Sequence, residues 1–249
     1  MINWLPDLGV SGYAWILSAA VLSGVVRGFS GFGTAMIYLP LAGTVLSPVT
    51  LLITMVVMDG VGPLPNVPRA VRDGKLSEVG WMTLGYILGL PFGLAILFWI
   101  DPVTFRWVLS FLILALLVAL VSGLRYRGQM TRPLTTGTGV AAGVMSGSVG
   151  LAGPPVVLLY VSSTQAVARV RANILLVLLI SDILLLVAFG LKGSLTAEAV
   201  ALGAVLVIPY TLANVLGARI FDPAREDVYR KVAYAIIAGS ALLGLPWIF

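Results

Sequence analysis

The sequence predicts an all-α, polytopic integral membrane protein built from two inverted repeats. Three observations carry that reading. Of 249 residues, 59% are hydrophobic and only 10% charged, where a soluble domain carries about 25% charged residues. Mean hydropathy is +1.06, and nearly uncharged stretches of about 18 or more residues recur from end to end. Glycine motifs and an Asp-Pro pair in the first half reappear, in order, in the second.

Apolar runs between charges and Pro/Gly breaks give ten helical segments. The first half holds 11–28, 33–47, 49–67, 79–99 and 104–123. The second holds 134–149, 152–165, 171–190, 197–217 and 231–248. Segment 33–47 opens after the Gly31-Phe32-Gly33 break, 49–67 closes in the proline-rich stretch Pro63–Pro68, and 104–123 follows Asp101-Pro102. At about 1.5 Å per residue, segments 33–47, 134–149 and 152–165 fall short of a ~30 Å hydrocarbon core, so half-helices or re-entrant hairpins are expected there. Pro65, Pro68, Pro91 and Pro209 are expected to kink or end helices. Trp4, Trp81, Trp99, Trp107 and Trp247 lie near segment ends and fit aromatic belts.

Basic residues set the expected orientation. Arg69, Arg72 and Lys75 share one loop, Arg125, Arg127 and Arg132 a second, Arg169 and Arg171 a third, and Arg219, Arg225, Arg230 and Lys231 a fourth. All four belong on the cytoplasmic side of a cell inner membrane, which places both termini outside. Only Arg106 and Lys192 fall near the opposite ends. No basic leader or small-residue cleavage site opens the chain, so no cleaved signal peptide is expected.

Self-comparison divides the chain into a first transmembrane repeat, 11–123, a cytoplasmic linker, 124–133, and a second repeat, 134–248. Gly24, Gly28 and Gly31 recur 119 residues on as Gly143, Gly147 and Gly150. Gly85, Leu88, Pro91 and Phe92 match Gly203, Leu206, Pro209 and Tyr210, and Asp101-Pro102 matches Asp222-Pro223. One Asp-Pro loop is poor in basic residues and the other rich, so the repeats have opposite orientation. Opposed halves of this kind suit alternating access around a midplane site. A duplication that only stabilises a bundle is the structural alternative.

The composition excludes several chemistries. With no Cys and no His, disulfides, thiolate or imidazole metal sites and His proton relays are absent, so no cofactor, no metal and no enzyme activity are expected. The net charge of +5 resides in short loops, where it serves orientation, not nucleic-acid binding. The expected partners are a small anionic substrate and the lipid bilayer; the sequence leaves the oligomeric state open.

The candidate site lies in the two glycine-rich breaks, with substrate expected between Ser30–Thr34 and Ser146–Gly153. The first break offers Arg27, Ser30, Gly31, Gly33 and Thr34, and the second Ser146, Gly147, Ser148, Gly150 and Gly153. Dense glycine lets the backbone leave its helical ladder, and freed N–H groups at a helix N-terminus suit an anion. Close helix packing through small-xxx-small spacing is the structural reading of the same glycines. Arg27 either snorkels to the interface or faces the cavity, where its forked donors suit an oxyanion. Arg171 and Asn173 open the eighth segment and have the same two readings. Asp59 and Asp182 occupy equivalent segments and are the proton-coupling candidates, or else partners for Arg27 and Arg171.

The G-x3-G-x2-G pattern, followed by an apolar helix and repeated in both halves, resembles the TauE/SafE sulfite exporter family, also called the toluenesulfonate uptake permeases. That resemblance implies a membrane carrier for sulfite, sulfoacetate or another organosulfonate. Phe32, Ser148, Val149 and Ala152 depart from its glycine-richer forms, changes that backbone donors tolerate. The expected function is therefore a secondary transporter of a small oxyanion, possible proton coupling included. The alternatives are an anion channel and a non-transporting membrane enzyme or assembly subunit.

Overall fold

The structure is a computed structural model that describes residues 5, 6, 8–122, 130–161 and 165–247. Trp4, Arg125, Arg127, residues 124–129 of the expected linker and the end of the seventh segment at 162–164 lie outside the described residues. Among the described residues the secondary structure is helical throughout. The helices are α1 (Gly9–Ser30), α2 (Thr34–Ala42), α3 (Pro48–Gly60), α4 (Val67–Asp73), α5 (Leu76–Trp99) and α6 (Pro102–Val121) in the first half. In the second are α7 (Arg132–Val149), α8 (Gly153–Val161), α9 (Val167–Leu191), α10 (Ala197–Ile220) and α11 (Glu226–Leu243).

Local chemistry explains the ends. Ser47, Thr131 and Thr196 each accept a backbone N–H at the start of α3, α7 and α10, and Pro48 and Pro133 occupy first-turn positions that lack an N–H partner anyway. Asp101 accepts the N–H groups of Val103 and Thr104, both at 3.0 Å, and opens α6. Helices α1 and α7 both stop at a left-handed glycine, Gly31 (φ 78°) and Gly150 (φ 77°). Arg106 closes the far end of α11 by donating to the carbonyls of Gly244 (3.0 Å) and Leu245 (3.3 Å).

Among the described residues five helices are long and apolar enough to cross a membrane: α1, α5, α6, α9 and α10. A sixth span is available if α3 and residues 64–73, bent by 48°, count as one. Phe92, Ile208 and Leu212 on α5 and α10 stay more than half exposed, as lipid-facing positions should. The half-helices are α2 and α8, nine residues each, or about 14 Å.

Several expectations need correction. Segment 134–149 belongs to α7, which has 18 residues, because the Thr131 cap and Pro133 start the helix earlier. Segment 49–67 breaks after Gly60, where Gly62 and Pro63 interrupt it. Arg69 and Arg72 lie on α4, Arg169 and Arg171 on α9, and Arg230 and Lys231 on α11, so these cations occupy helix ends and not loops. Of the two outcomes expected for Pro91 and Pro209, ending a helix does not occur, since both sit inside α5 and α10.

The chain forms two compact units, each discontinuous in sequence. The first comprises Met1–Val61, Asp101–Val118 and Gly193–Phe249, and the second Gly62–Ile100 and Ala119–Lys192. Each draws on both sequence halves. In the first unit α10 packs on α1, around a core that includes Ile37, Leu39, Leu51 and Ile53. In the second, α5 packs on α7.

Glycine makes both pairings possible, because the backbones touch. A Cβ at Gly139, Gly143 or Gly147 would lie 2.1, 2.3 or 2.8 Å from the carbonyl oxygens of Met82, Tyr86 and Leu90. On the facing helix, a Cβ at Gly85, Gly89 or Gly93 would lie 2.0, 2.2 or 2.3 Å from those of Thr136, Val140 and Val144. In the first unit, a Cβ at Gly24 or Gly28 would lie 2.6 or 2.1 Å from the carbonyl oxygens of Tyr210 and Asn214, and one at Gly217 would lie 2.1 Å from that of Val25. These glycines pack helices.

The same contacts correct the repeat register. Gly24 faces Tyr210 as Gly143 faces Tyr86, and Gly217 faces Val25 as Gly93 faces Val144. Tyr86, Leu88, Gly89 and Gly93 therefore correspond to Tyr210, Leu212, Ala213 and Gly217, 124 residues apart. The match of Gly85 to Gly203 and Pro91 to Pro209 is six residues out of register. Apolar helices rich in Leu, Gly and Ala resemble one another at several offsets, and only backbone contact selects one.

Candidate functional site

In the first unit, four helices bring one polar side chain each to the break between α1 and α2. Arg27 stands in the last turn of α1, Thr34 begins α2, Asp59 ends α3 and Tyr210 follows Pro209 in α10. Gly31, with φ 78°, turns the chain and returns its N–H to the Arg27 carbonyl at 2.7 Å. Gly33, with φ 102°, starts the next helix in a second left-handed conformation that only glycine adopts cheaply. Ser30 braces the turn, its Oγ lying 2.7 Å from the Val26 carbonyl and 2.8 Å from that of Phe32.

The four side chains form a closed ring. Arg27 Nη1 donates to Asp59 Oδ2 at 2.6 Å and to Thr34 Oγ1 at 3.2 Å. Thr34 Oγ1 lies 2.9 Å from the Tyr210 hydroxyl, which donates to Asp59 Oδ1. Thr34 and Tyr210 are 2% and 1% exposed, while the Arg27 and Asp59 side chains keep 25% and 19%. Arg27 is thus an ion-paired group and not a bare interface anchor. The first intrahelical acceptor of α2 is the Gly33 carbonyl, taken by Ile37 N–H at 3.1 Å. The N–H groups of Thr34, Ala35 and Met36 precede it in the first turn, where an α-helix has no intrahelical acceptor to offer.

The second unit has a counterpart in which a serine stands in place of the arginine. Ser146 holds the place of Arg27 in the repeat, and its Oγ lies 2.8 Å from the Tyr86 hydroxyl, which donates to the Ser181 carbonyl at 3.0 Å. Asp182, next along α9, is half-buried and is the charged group that faces Tyr86. The Gly150 and Leu151 N–H groups close α7 on the Ser146 and Met145 carbonyls at 2.9 and 3.2 Å, so neither is spare. Ser148 donates to the Val144 carbonyl at 2.7 Å, and Gly147 is packed against Leu90 and Leu94 backbone. Gly153 begins α8, but Pro154 and Pro155 follow and lack N–H groups. The N-terminus of α8 therefore offers fewer donors than that of α2.

Arg171 and Asn173 have different surroundings. Arg171 is exposed near the start of α9. Asn173 is fully buried, accepting the Lys75 N–H at 2.8 Å and donating to Glu78 at 3.2 Å. Glu78, 7% exposed, also accepts from Gln165 at 3.0 Å and pairs with Lys75 at 3.1 Å. Sequence reasoning missed Glu78, Gln165, Tyr86 and Tyr210. A Tyr-x-Leu-Gly/Ala-x3-Gly match at the correct register would have found the two tyrosines.

Residues 16–243 match the family described as sulfite exporter TauE/SafE. The chain belongs to the TauE/SafE sulfite exporter family. One curated relative, the "Probable sulfite/organosulfonate exporter TauE" of Cupriavidus necator, is 24% identical over 228 residues, covering 87% of this chain and 88% of the relative. No solved structure matches the chain. Membership of this family and the apolar helices make the chain a multi-pass membrane protein of an exporter family.

Proposed function

We propose that the chain is a secondary carrier that moves a small oxyanion, namely sulfite, sulfoacetate or another organosulfonate, by alternating access of two inverted repeats. The observation that carries this reading is the ring at the start of α2, where a guanidinium at a helix N-terminus is held by a carboxylate from a different helix. Sulfite and sulfonates offer acceptor oxygens in pairs, the geometry an arginine fork accepts best. The α2 amides add oriented donors and a favourable dipole. Asp59 presents two oxygens to this site and so occupies it as a resident anion. A substrate that engages Arg27 releases Asp59, whose carboxylate then takes a proton; Asp182 is the second coupling candidate. The name of the C. necator relative, an exporter, suits export as the direction.

The test is uptake and counterflow in proteoliposomes with sulfite, sulfoacetate, taurine, thiosulfate, sulfate and lactate. Saturable counterflow with one or more sulfur oxyanions is expected, and Arg27→Gln should weaken that anion by about tenfold or more. Fast currents without counterflow would mean a channel. Conversion of a substrate without its movement would mean an enzyme.

A further inference from the structure

We infer that Tyr210 is a positioning residue of the anion site, whose hydroxyl links the protonation of Asp59 to the direction in which the Thr34 hydroxyl points. It thereby sets the pH at which the site takes its anion. The inference deepens the carrier reading and rests on it.

Counting protons gives the ring a direction. An ionised carboxylate only accepts, so the single Tyr210 proton goes to Asp59 Oδ1. The Thr34 proton must then go to the Tyr210 oxygen, 2.9 Å away. Arg27 supplies Thr34 Oγ1 at 3.2 Å and Asp59 Oδ2 at 2.6 Å. Every donor in the ring thus points, directly or through one neighbour, at Asp59. With Thr34 and Tyr210 almost fully buried, water does not offer the hydroxyls an easy alternative.

A proton arriving from solvent on Asp59 Oδ1 reverses that order. The new O–H needs an acceptor, and the Tyr210 oxygen beside it serves once the Tyr210 proton turns to Thr34 Oγ1. Thr34 is then left with a proton to donate elsewhere, at the first residue of α2, where the N-terminal amides also point. Arg27 simultaneously faces a neutral carboxyl that holds it weakly. One proton on Asp59 therefore frees a cation and turns a hydroxyl, both favourable to an oxyanion, so one proton accompanies one anion. Only hydroxyl rotations and the Asp59 O–H bond are involved.

The charged and titratable groups facing Asp59 in this ring are Arg27 from α1 and Tyr210 from α10, with Thr34 from α2 completing the neighbours. The second unit supplies a comparison. At the equivalent register the Tyr86 hydroxyl donates to the Ser181 backbone carbonyl and not to a carboxylate, so the hydrogen-bond relay described here is drawn for the first unit.

The experiment measures sulfoacetate and sulfite affinity of the purified full chain, and counterflow after reconstitution, from pH 5.5 to 8. Wild type is expected to bind more tightly as pH falls, by up to about tenfold per unit for one linked proton. Tyr210→Phe removes the hydroxyl that joins Asp59 to Thr34, so the pH at which affinity rises should shift, not only the affinity at every pH. The acid-side gain should also shrink, because Thr34 is no longer turned. Thr34→Val keeps the Tyr210–Asp59 bond, so it should shrink the gain without moving the midpoint. Weakening by one factor at every pH in Tyr210→Phe, midpoint unmoved, would overturn the relay. Wild-type binding that ignores pH would overturn it too, leaving the carrier reading intact. A wild type that neither binds nor exchanges any sulfur oxyanion overturns the carrier reading, and the inference falls with it.

Discussion

Arg27 and Asp59 each depend on the other, and that dependence separates recognition from stability. Arg27→Gln leaves a half-buried carboxylate with one donor fewer and should cost about 2 kcal/mol of stability, read as a lower unfolding temperature in detergent. Arg27→Gln combined with Asp59→Asn should recover most of that loss without restoring anion affinity. Arg27→Lys keeps the charge but not the fork, so affinity should stay impaired while stability approaches wild type. Full affinity in Arg27→Gln would leave the α2 amides as the anion's holders. A second residue-level expectation concerns Asp101. The Thr104 hydroxyl, at 2.6 Å, and the Thr104 and Val103 amides hold its carboxyl below the usual aspartate range. A lowered folded value means the cap contributes fully above the unfolded value of about 3.9 and is lost as pH falls through the folded one. Thermal unfolding from pH 6 to pH 3 should therefore show a larger acid loss in wild type than in Asp101→Asn. Equal acid losses would mean that the cap is not formed in solution.

At the scale of elements, the two glycine ladders make a sharp comparison on one helix. Gly80 and Gly85 both lie on α5, but an added Cβ meets nothing within 4 Å at Gly80 and backbone at 2.0 Å at Gly85. Gly80→Val should fold and transport, whereas Gly85→Val should separate α5 from α7 and abolish monodisperse protein by size exclusion. Normal behaviour of Gly85→Val would refute the close packing. Gly31→Ala differs again, since space is open there and the positive φ alone opposes it, at about 1–2 kcal/mol. The helical segments and half-helices were legible because hydropathy and Gly/Pro breaks are local properties. What α5 and α10 pack against was not, because Gly85 and Gly24 name no partner. Tyr210 reaches Asp59 across 151 residues, a pairing that no local pattern encodes. The six-residue slip between sequence and packing registers has the same origin: low-complexity apolar helices match almost anywhere, and carbonyl–glycine contact decides.

At the scale of the whole molecule, neither compact unit coincides with a sequence half. The first half contributes α5 to the second unit and the second half contributes α10 and α11 to the first. Equivalent helices are thus exchanged, with α10 on α1 and α5 on α7 through the same glycine positions. Repetition was readable from the glycines; the exchange was not, since sequence order says nothing of which neighbour a helix chooses. Whether the repeats are inverted is a question of sidedness, which labelling from one side of the membrane reads directly. If the repeats are opposed and the basic ends face inward, Arg69, Arg72 and Lys75 are expected inside and the turn around Lys192 and Gly193 outside. The absence of cysteine makes a direct check possible, because a single introduced thiol is the sole target of a maleimide. In intact cells, Ser194→Cys should react with a membrane-impermeant maleimide, and Ser77→Cys only after permeabilisation. These positions bracket the α5–α9 region with an odd number of crossings, so labelling of both from one side would exclude opposed repeats. The reverse pattern would keep the repeats opposed but turn the basic ends outward, against the positive-inside bias from which the orientation is drawn.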